Sequence, residues 1–280
     1  MYVIIAIVGV VLLALVARRV GDERADHREW MRLAAAQPPH PAVYDPIMVA
    51  DLPEPAQRFF NFAIQPGTPL LTVAEIDMGG EFSLGTLDQP NYQPMEARQI
   101  LAAPTGFVWK VTLPGGVALS GSDTGRWTRV RVLGLIPVAR MGGDIHHTRA
   151  AYGRYIAEAV FWTPAALLPR EGVVWEALDQ HTARVTVTQN ALSQTVDINV
   201  AGDGRPVVVQ FMRWSNANPE KTYRWQPFGG TLSDFREVQG FRIPFKVEAG
   251  NQFGTDDHFV FFKATVTAVR FLRPTPSSAP

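Results

Sequence analysis

The run YVIIAIVGVVLLALVA, residues 2–17, constrains the chain more than any other stretch. As a helix it measures roughly 24 Å at about 1.5 Å per residue, slightly less than a hydrocarbon core of about 30 Å. Tyr2 at one end and the long stems of Arg18 and Arg19 at the other make up the difference. A cleaved signal peptide would carry basic residues ahead of the run and a small-x-small site just after it. Here no Lys or Arg precedes the run, and the Ala-x-Ala at Ala34 to Ala36 lies far downstream. The sequence therefore predicts a retained transmembrane helix over residues 1–19. Arg18, Arg19, Arg24 and Arg28 all lie C-terminal to the run. The positive-inside rule then places the remaining chain on the cytoplasmic side of an inner membrane, single-pass.

The chain is long enough for one large β-rich domain or two small ones, with a core of ordinary size. The 26 basic and 26 acidic side chains cancel, so the chain has no long-range field to gather a phosphate backbone, and no nucleic-acid partner is expected. With no cysteine there is no disulfide, thiolate metal site or thiol catalysis.

Residues 20–51 read as a juxtamembrane stalk and linker. VGDERADHREWMRLAAA continues or restarts the helix, expected on the membrane surface, and QPPHPAVYDP cannot stay helical. In DLPEPAQRFFNFAI, Asp51 is the expected cap and Pro53 suits the first turn of an amphipathic helix. From about residue 70 the hydrophobic period becomes two. LTVAEIDM, EARQILAA, GFVWKVTL, GRWTRVRVL, ARVTVTQ, QTVDINV, PVVVQFMRW, FRIPFKVEA and HFVFFKATVTAVRFL are rich in β-branched and aromatic residues. Strands in succession without helices between them predict an antiparallel meander. Ala201-Gly202-Asp203-Gly204 marks a hairpin turn, and the pairs Gly79-Gly80, Gly142-Gly143 and Gly229-Gly230 read as turns as well. One helix interrupts the meander at about residues 144–163, closing the concave side or one end of a curved sheet. The fold class is thus mainly β: a large curved antiparallel sheet, half-barrel or barrel-like, with a capping helix, behind one membrane helix. The domain spans residues 52–273, and residues 274–280 are expected to form a mobile tail.

The segments LPEPAQRFFNFA, GFVWKV, LGLIPV, YIAEAVFWTPAALLP, VVWEALD and FREVQGFRIPFKVEA occur in this order. Together they resemble a widespread prokaryotic family known only as a domain of unknown function, over roughly residues 52–270. The resemblance implies a common fold and a membrane-anchored chain, and implies no activity. The strand pattern is also similar to the half-barrel sheets of lipoprotein-carrier proteins, a likeness of architecture alone.

Candidate chemistry is sparse. His146 and His147 are neighbours, about 100 degrees apart on a helix, and cannot chelate one metal as an i, i+4 pair can. Ser120-Gly121-Ser122 lacks the strand–elbow–helix setting of a nucleophile. No metal and no cofactor is expected. Glu158 sits in an apolar stretch one helical turn after Arg154, and a structural ion pair between them is the expectation, since an unpaired buried carboxylate costs several kcal/mol. Glu176, in the same motif, could combine with it as the two carboxylates of a hydrolase. Trp109, Trp127, Trp162 and Trp214 could line an apolar pocket on a concave sheet, rimmed by Arg213 and Arg224 for an anionic head group, or could simply fill a large core.

The residues leave three readings open. The first is a non-enzymatic anchored module, an accessory or scaffolding subunit of a respiratory or photosynthetic membrane complex. It would be partnered by the bilayer through residues 2–17 and by other membrane subunits. The second is a binder of a lipid or other apolar ligand. The third is the Glu158–Glu176 hydrolase.

Overall fold

The structure is a computed structural model and describes residues 1–274. The expected mobile tail therefore lies, apart from Pro274, outside the described residues. Helix α1 (Tyr2–Ala34) is continuous from the apolar run through the charged stalk. It is the one described helix long and apolar enough to cross a membrane, and none of its apolar run is buried. After a linker with a short 3-10 turn at Pro46–Val49, helix α2 (Glu54–Ala63) begins. Its N-cap position is Pro53 rather than Asp51 and carries no side-chain cap. Proline instead supplies a backbone already set for the first turn.

The strands then run in meander order: β1 (Ala74–Ser83), β2 (Tyr92–Ala102), β3 (Gly106–Leu113), β4 (Leu119–Thr124), β5 (Trp127–Val132) and β6 (Ile136–Gly142). Helix α3 (Ile145–Trp162) comes next. The second half comprises β7 (Val173–Ala177), β8 (Thr182–Gln189), β9 (Leu192–Val200), β10 (Pro206–Ser215), β11 (Arg224–Val238), β12 (Phe241–Asn251) and β13 (Phe259–Phe271). All are antiparallel neighbours in one 13-stranded sheet, ordered β6-β5-β4-β3-β2-β1-β13-β12-β11-β10-β9-β8-β7. The chain closes the two halves by pairing β1 with β13, its most distant strands. Both edges, β6 and β7, flank α3 in sequence, so the helix crosses the open side of the curve between them.

Two glycine pairs expected as turns lie inside strands. Gly79-Gly80 pairs within β1, and Gly229-Gly230 within β11. Gly230 is needed there because a Cβ would meet the Glu248 carbonyl at 2.4 Å. Ala201 to Gly204 does form the β9–β10 turn.

Period-two alternation gives the sheet two distinct faces. The concave face carries the main core, with α3 over it and α2 toward one end. Helix α3 is buried on most of its surface, and it approaches β9 so closely that a Cβ on Gly153 would lie 2.6 Å from Gln194. The convex face is not solvent across β2 to β6. The stalk expected on the membrane surface instead docks there. Leu33 and Trp30 pack on Val73, Ile100, Ala102 and Val108. Asp22 accepts hydrogen bonds from Arg140 at 2.5 and 3.0 Å and from Arg131, with Arg129 at 3.1 Å. Asp26 accepts from Ser122 and from the Trp127 indole, each at 3.0 Å.

Candidate ligand-binding site

Between α3 and the concave face lies a cavity of about 330 Å³, within the range of small-molecule sites. Register explains why there is space. Val209, Gly230 and Ala249 stand side by side on β10, β11 and β12. This row of small residues runs between larger neighbours, Phe211 and Phe228 on one side and Leu232 and Val247 on the other. The helix above contributes Ala157, Phe161 and Trp162, and the β1–β4 wall contributes Phe82, Trp109, Val111, Leu113 and Leu119. The lining is mostly apolar.

One polar network is set into this lining. Arg154 donates to Glu158 and to Asp123, each at 2.7 Å, and Gln99 donates to the second oxygen of Glu158 at 2.6 Å. Thr128 donates to Asp123 at 2.6 Å, and its hydroxyl lies 2.9 Å from His147. The guanidinium of Arg154 also sits over the rings of Phe107 and Trp109. Burial alone would lower its pKa, but Glu158 and Asp123 outweigh that and the net shift is upward. Glu158 is thus paired with Arg154, with 14 % of its side chain exposed.

Arg213 differs. It stacks over Phe228 at 4.8 Å. Among the described residues its side chain makes no hydrogen bond or ion pair, and its Nε is buried without a partner. Burial lowers its pKa, and Arg154 adds to the effect, while Asp123 and Glu158 oppose it. The buried indole nitrogens of Trp109 and Trp162 are likewise unpartnered. Arg154, Arg213, Asp123 and Glu158 sum to no net charge. The site therefore offers free donors rather than a net field, which suits a head group with acceptor oxygens on an apolar body.

Of the residues singled out in the sequence, Trp109, Trp162, Arg213, Arg154 and Glu158 line the cavity. Trp127, Trp214 and Arg224 do not. Alternation turns Trp127 to the convex face, onto Asp26. Trp214 stacks with His146 and Tyr223 at the rim of the fold. Arg224 is exposed and paired with Glu220 at 3.1 Å. Glu176 is exposed opposite Arg184, on the face of β7 away from the buried Trp175, so it does not join Glu158. His147 is fixed by the helix start, where its backbone N–H donates to Asp144 and holds that carboxyl below its usual range. No group of three or more metal-ligating side chains occurs among the described residues. Sequence reasoning missed Asp123, Gln99 and the phenylalanines of β10 to β13. Asp123 sits in LSGSDT, a strand with little β-branched or aromatic character.

No match was found among curated proteins. Among solved structures, the chain is similar to a LolA superfamily protein from Nitrosomonas europaea at 10% identity and TM-score 0.41, over 79% of this chain and 93% of that one. A domain from Vibrio parahaemolyticus assigned to outer membrane lipoprotein sorting aligns at 10% identity and TM-score 0.35, over 81% of this chain and 91% of the other. The model of a family of unknown function, DUF6544, matches residues 42–264, the greater part of the chain, and the protein belongs to that family.

Proposed function

We propose that the protein is a membrane-anchored binder of a single-tailed amphiphile. The tail occupies the cavity beneath α3, and Arg213 donates to a carboxyl, ester or phosphate head. The observation that carries this reading is the arginine itself: a side chain with free donors set among phenylalanines, beside a second arginine that is already doubly paired. A cavity of about 330 Å³ lies at the lower end of the ligand-site range, which favours one tail over two. The apolar start of α1 serves as the anchor, and the arginines after it favour the cytoplasmic side of the inner membrane.

The test is extraction of lipid from the full chain purified in mild detergent, set against Ala249→Phe, which fills the floor of the cavity. An amphiphile near one equivalent in the natural protein and absent from the variant is expected. Equal lipid content in both, with no uptake of added fatty acid by either, would reject the reading.

A second reading, an accessory subunit of a membrane complex, is favoured by β6. This edge strand exposes Ile136, Val138 and Met141, and an unpaired apolar edge is a template for another chain. The same purification would recover a stoichiometric partner protein.

A further inference from the structure

The path of α1 fixes which end of the sheet meets the bilayer. Arg19, just past the apolar run, lies against the β5–β6 turn: a Cβ on Gly134 would be 2.9 Å from its guanidinium. Leu33, at the other end of the stalk, reaches the start of β3, 3.5 Å from where a Gly106 Cβ would stand. The docked part of α1 therefore runs the length of the convex face, roughly 20 Å at 1.5 Å per residue, and the membrane span projects beyond the β5–β6 turn. The β1–β2 and β3–β4 turns share that end, because β1 to β6 pair as successive hairpins. A Cβ on Gly115 of the β3–β4 turn would lie 2.5 Å from Gln93 at the start of β2, and the Leu133 N–H donates to the Ala118 carbonyl.

These turn tips are apolar where exposed tips are ordinarily polar. Leu133 is 67% exposed and Val117 64%. Leu84, in the β1–β2 connection, is 49% exposed and also lines the cavity. The cavity residues Leu113 and Leu119 directly flank the β3–β4 turn.

We infer that the hairpin end of the sheet rests in the bilayer surface from which α1 emerges, and that the cavity fills laterally from that leaflet past Leu84, Val117 and Leu133. The occupant of this surface is lipid, because the continuous helix brings it there and apolar side chains at the tips gain by insertion. The loading step rests on the proposed ligand-binding function; the docking step rests only on the proposed anchoring by α1.

The chain has no cysteine, so Val117→Cys, Leu133→Cys and, at the opposite end in the β9–β10 turn, Asp203→Cys can each carry one environment-sensitive fluorophore. The full-length variants go into phosphatidylcholine–phosphatidylglycerol vesicles containing a phospholipid with a shallow nitroxide. Blue-shifted emission and quenching at positions 117 and 133, with neither at 203, are expected. No quenching at 117 and 133, equal quenching at all three, or burial of those two probes against a co-purified protein would overturn docking. Loading is read with a diazirine-tailed fatty acid, scoring adducts on Phe211 and Phe228. Delivered from vesicles, adducts should fall about tenfold in the double variant Val117→Asp, Leu133→Asp, and delivered from detergent micelles they should be unchanged. Equal labelling by both routes in the variant and the natural chain would overturn lateral loading. No adduct from micelles in the natural chain would instead overturn the proposed ligand, leaving the nitroxide result to decide docking.

Discussion

On the concave face, α3 meets the sheet through aromatic and aliphatic side chains around a single polar network. On the convex face, the Asp22 and Asp26 part of α1 meets it through charge, with Asp22 held by three arginines of β5 and β6, and Trp30 and Leu33 add an apolar contact at the far end. The two helices solve different problems. Helix α3 never leaves the domain and can be buried almost all round. Helix α1 leaves it at its exposed N-terminal part, which is long and apolar enough to cross a membrane, and a long apolar face on the stalk would simply have lengthened that apolar run. Paired charges bind it to the sheet while remaining too polar to slide into lipid. Buried ion pairs add less net stability than hydrophobic contacts of equal size, yet removing one partner is strongly destabilising. The convex contact is thus specific in register and fragile to single changes.

That contrast can be broken most directly at Asp22. Asp22→Ala leaves Arg129, Arg131 and Arg140 without their shared carboxylate, and a loss of about 3–5 kcal/mol is expected. Thermal unfolding of the full chain in detergent should show it, together with new protease sensitivity between α1 and β1. An unchanged melting temperature would mean that the helix is not held by charge.

Glu158→Gln asks the same question of the concave face. Here Arg154 keeps Asp123 as a partner, and the amide preserves shape, so about 1–3 kcal/mol should be lost. A clearly raised melting temperature would point to a carboxylate retained for chemistry at the expense of the fold.

The smallest effect belongs to neither face. Arg224 and Glu220 are both exposed, and Arg224→Ala should change stability by less than about 1 kcal/mol. A larger change would show that the β10–β11 end is more tightly packed than this pair suggests.

Alternation made most strands legible, because each buries one face or both. Segments β4, β6, β7 and β11 escaped; in β11, RWQPFGGTLSDFREV places proline and two glycines mid-strand, and these ordinarily break a strand. Gly230 is required there because neighbouring backbones approach it closely. The Arg154–Glu158 spacing was readable as a helical pair, whereas Asp123 required knowing which strand faces α3. The docking of α1 was missed, although its trace is present. Asp22, Asp26, Glu29 and Leu33 recur at helical spacing on one face, and Arg129 and Arg131 alternate on one face of β5. Complementary stripes on distant elements become visible only when topology brings them together.

The unbroken passage of α1 from the apolar run onto the sheet has a mechanical consequence. A flexible tether would let the domain ignore the bilayer, whereas a continuous helix clamped along the convex face transmits its angle. With the apolar run as the proposed anchor, a span that tilts to match a thinner or thicker hydrocarbon layer would rotate the whole curved sheet with it, so lipid composition would set the attitude at which this domain meets the membrane.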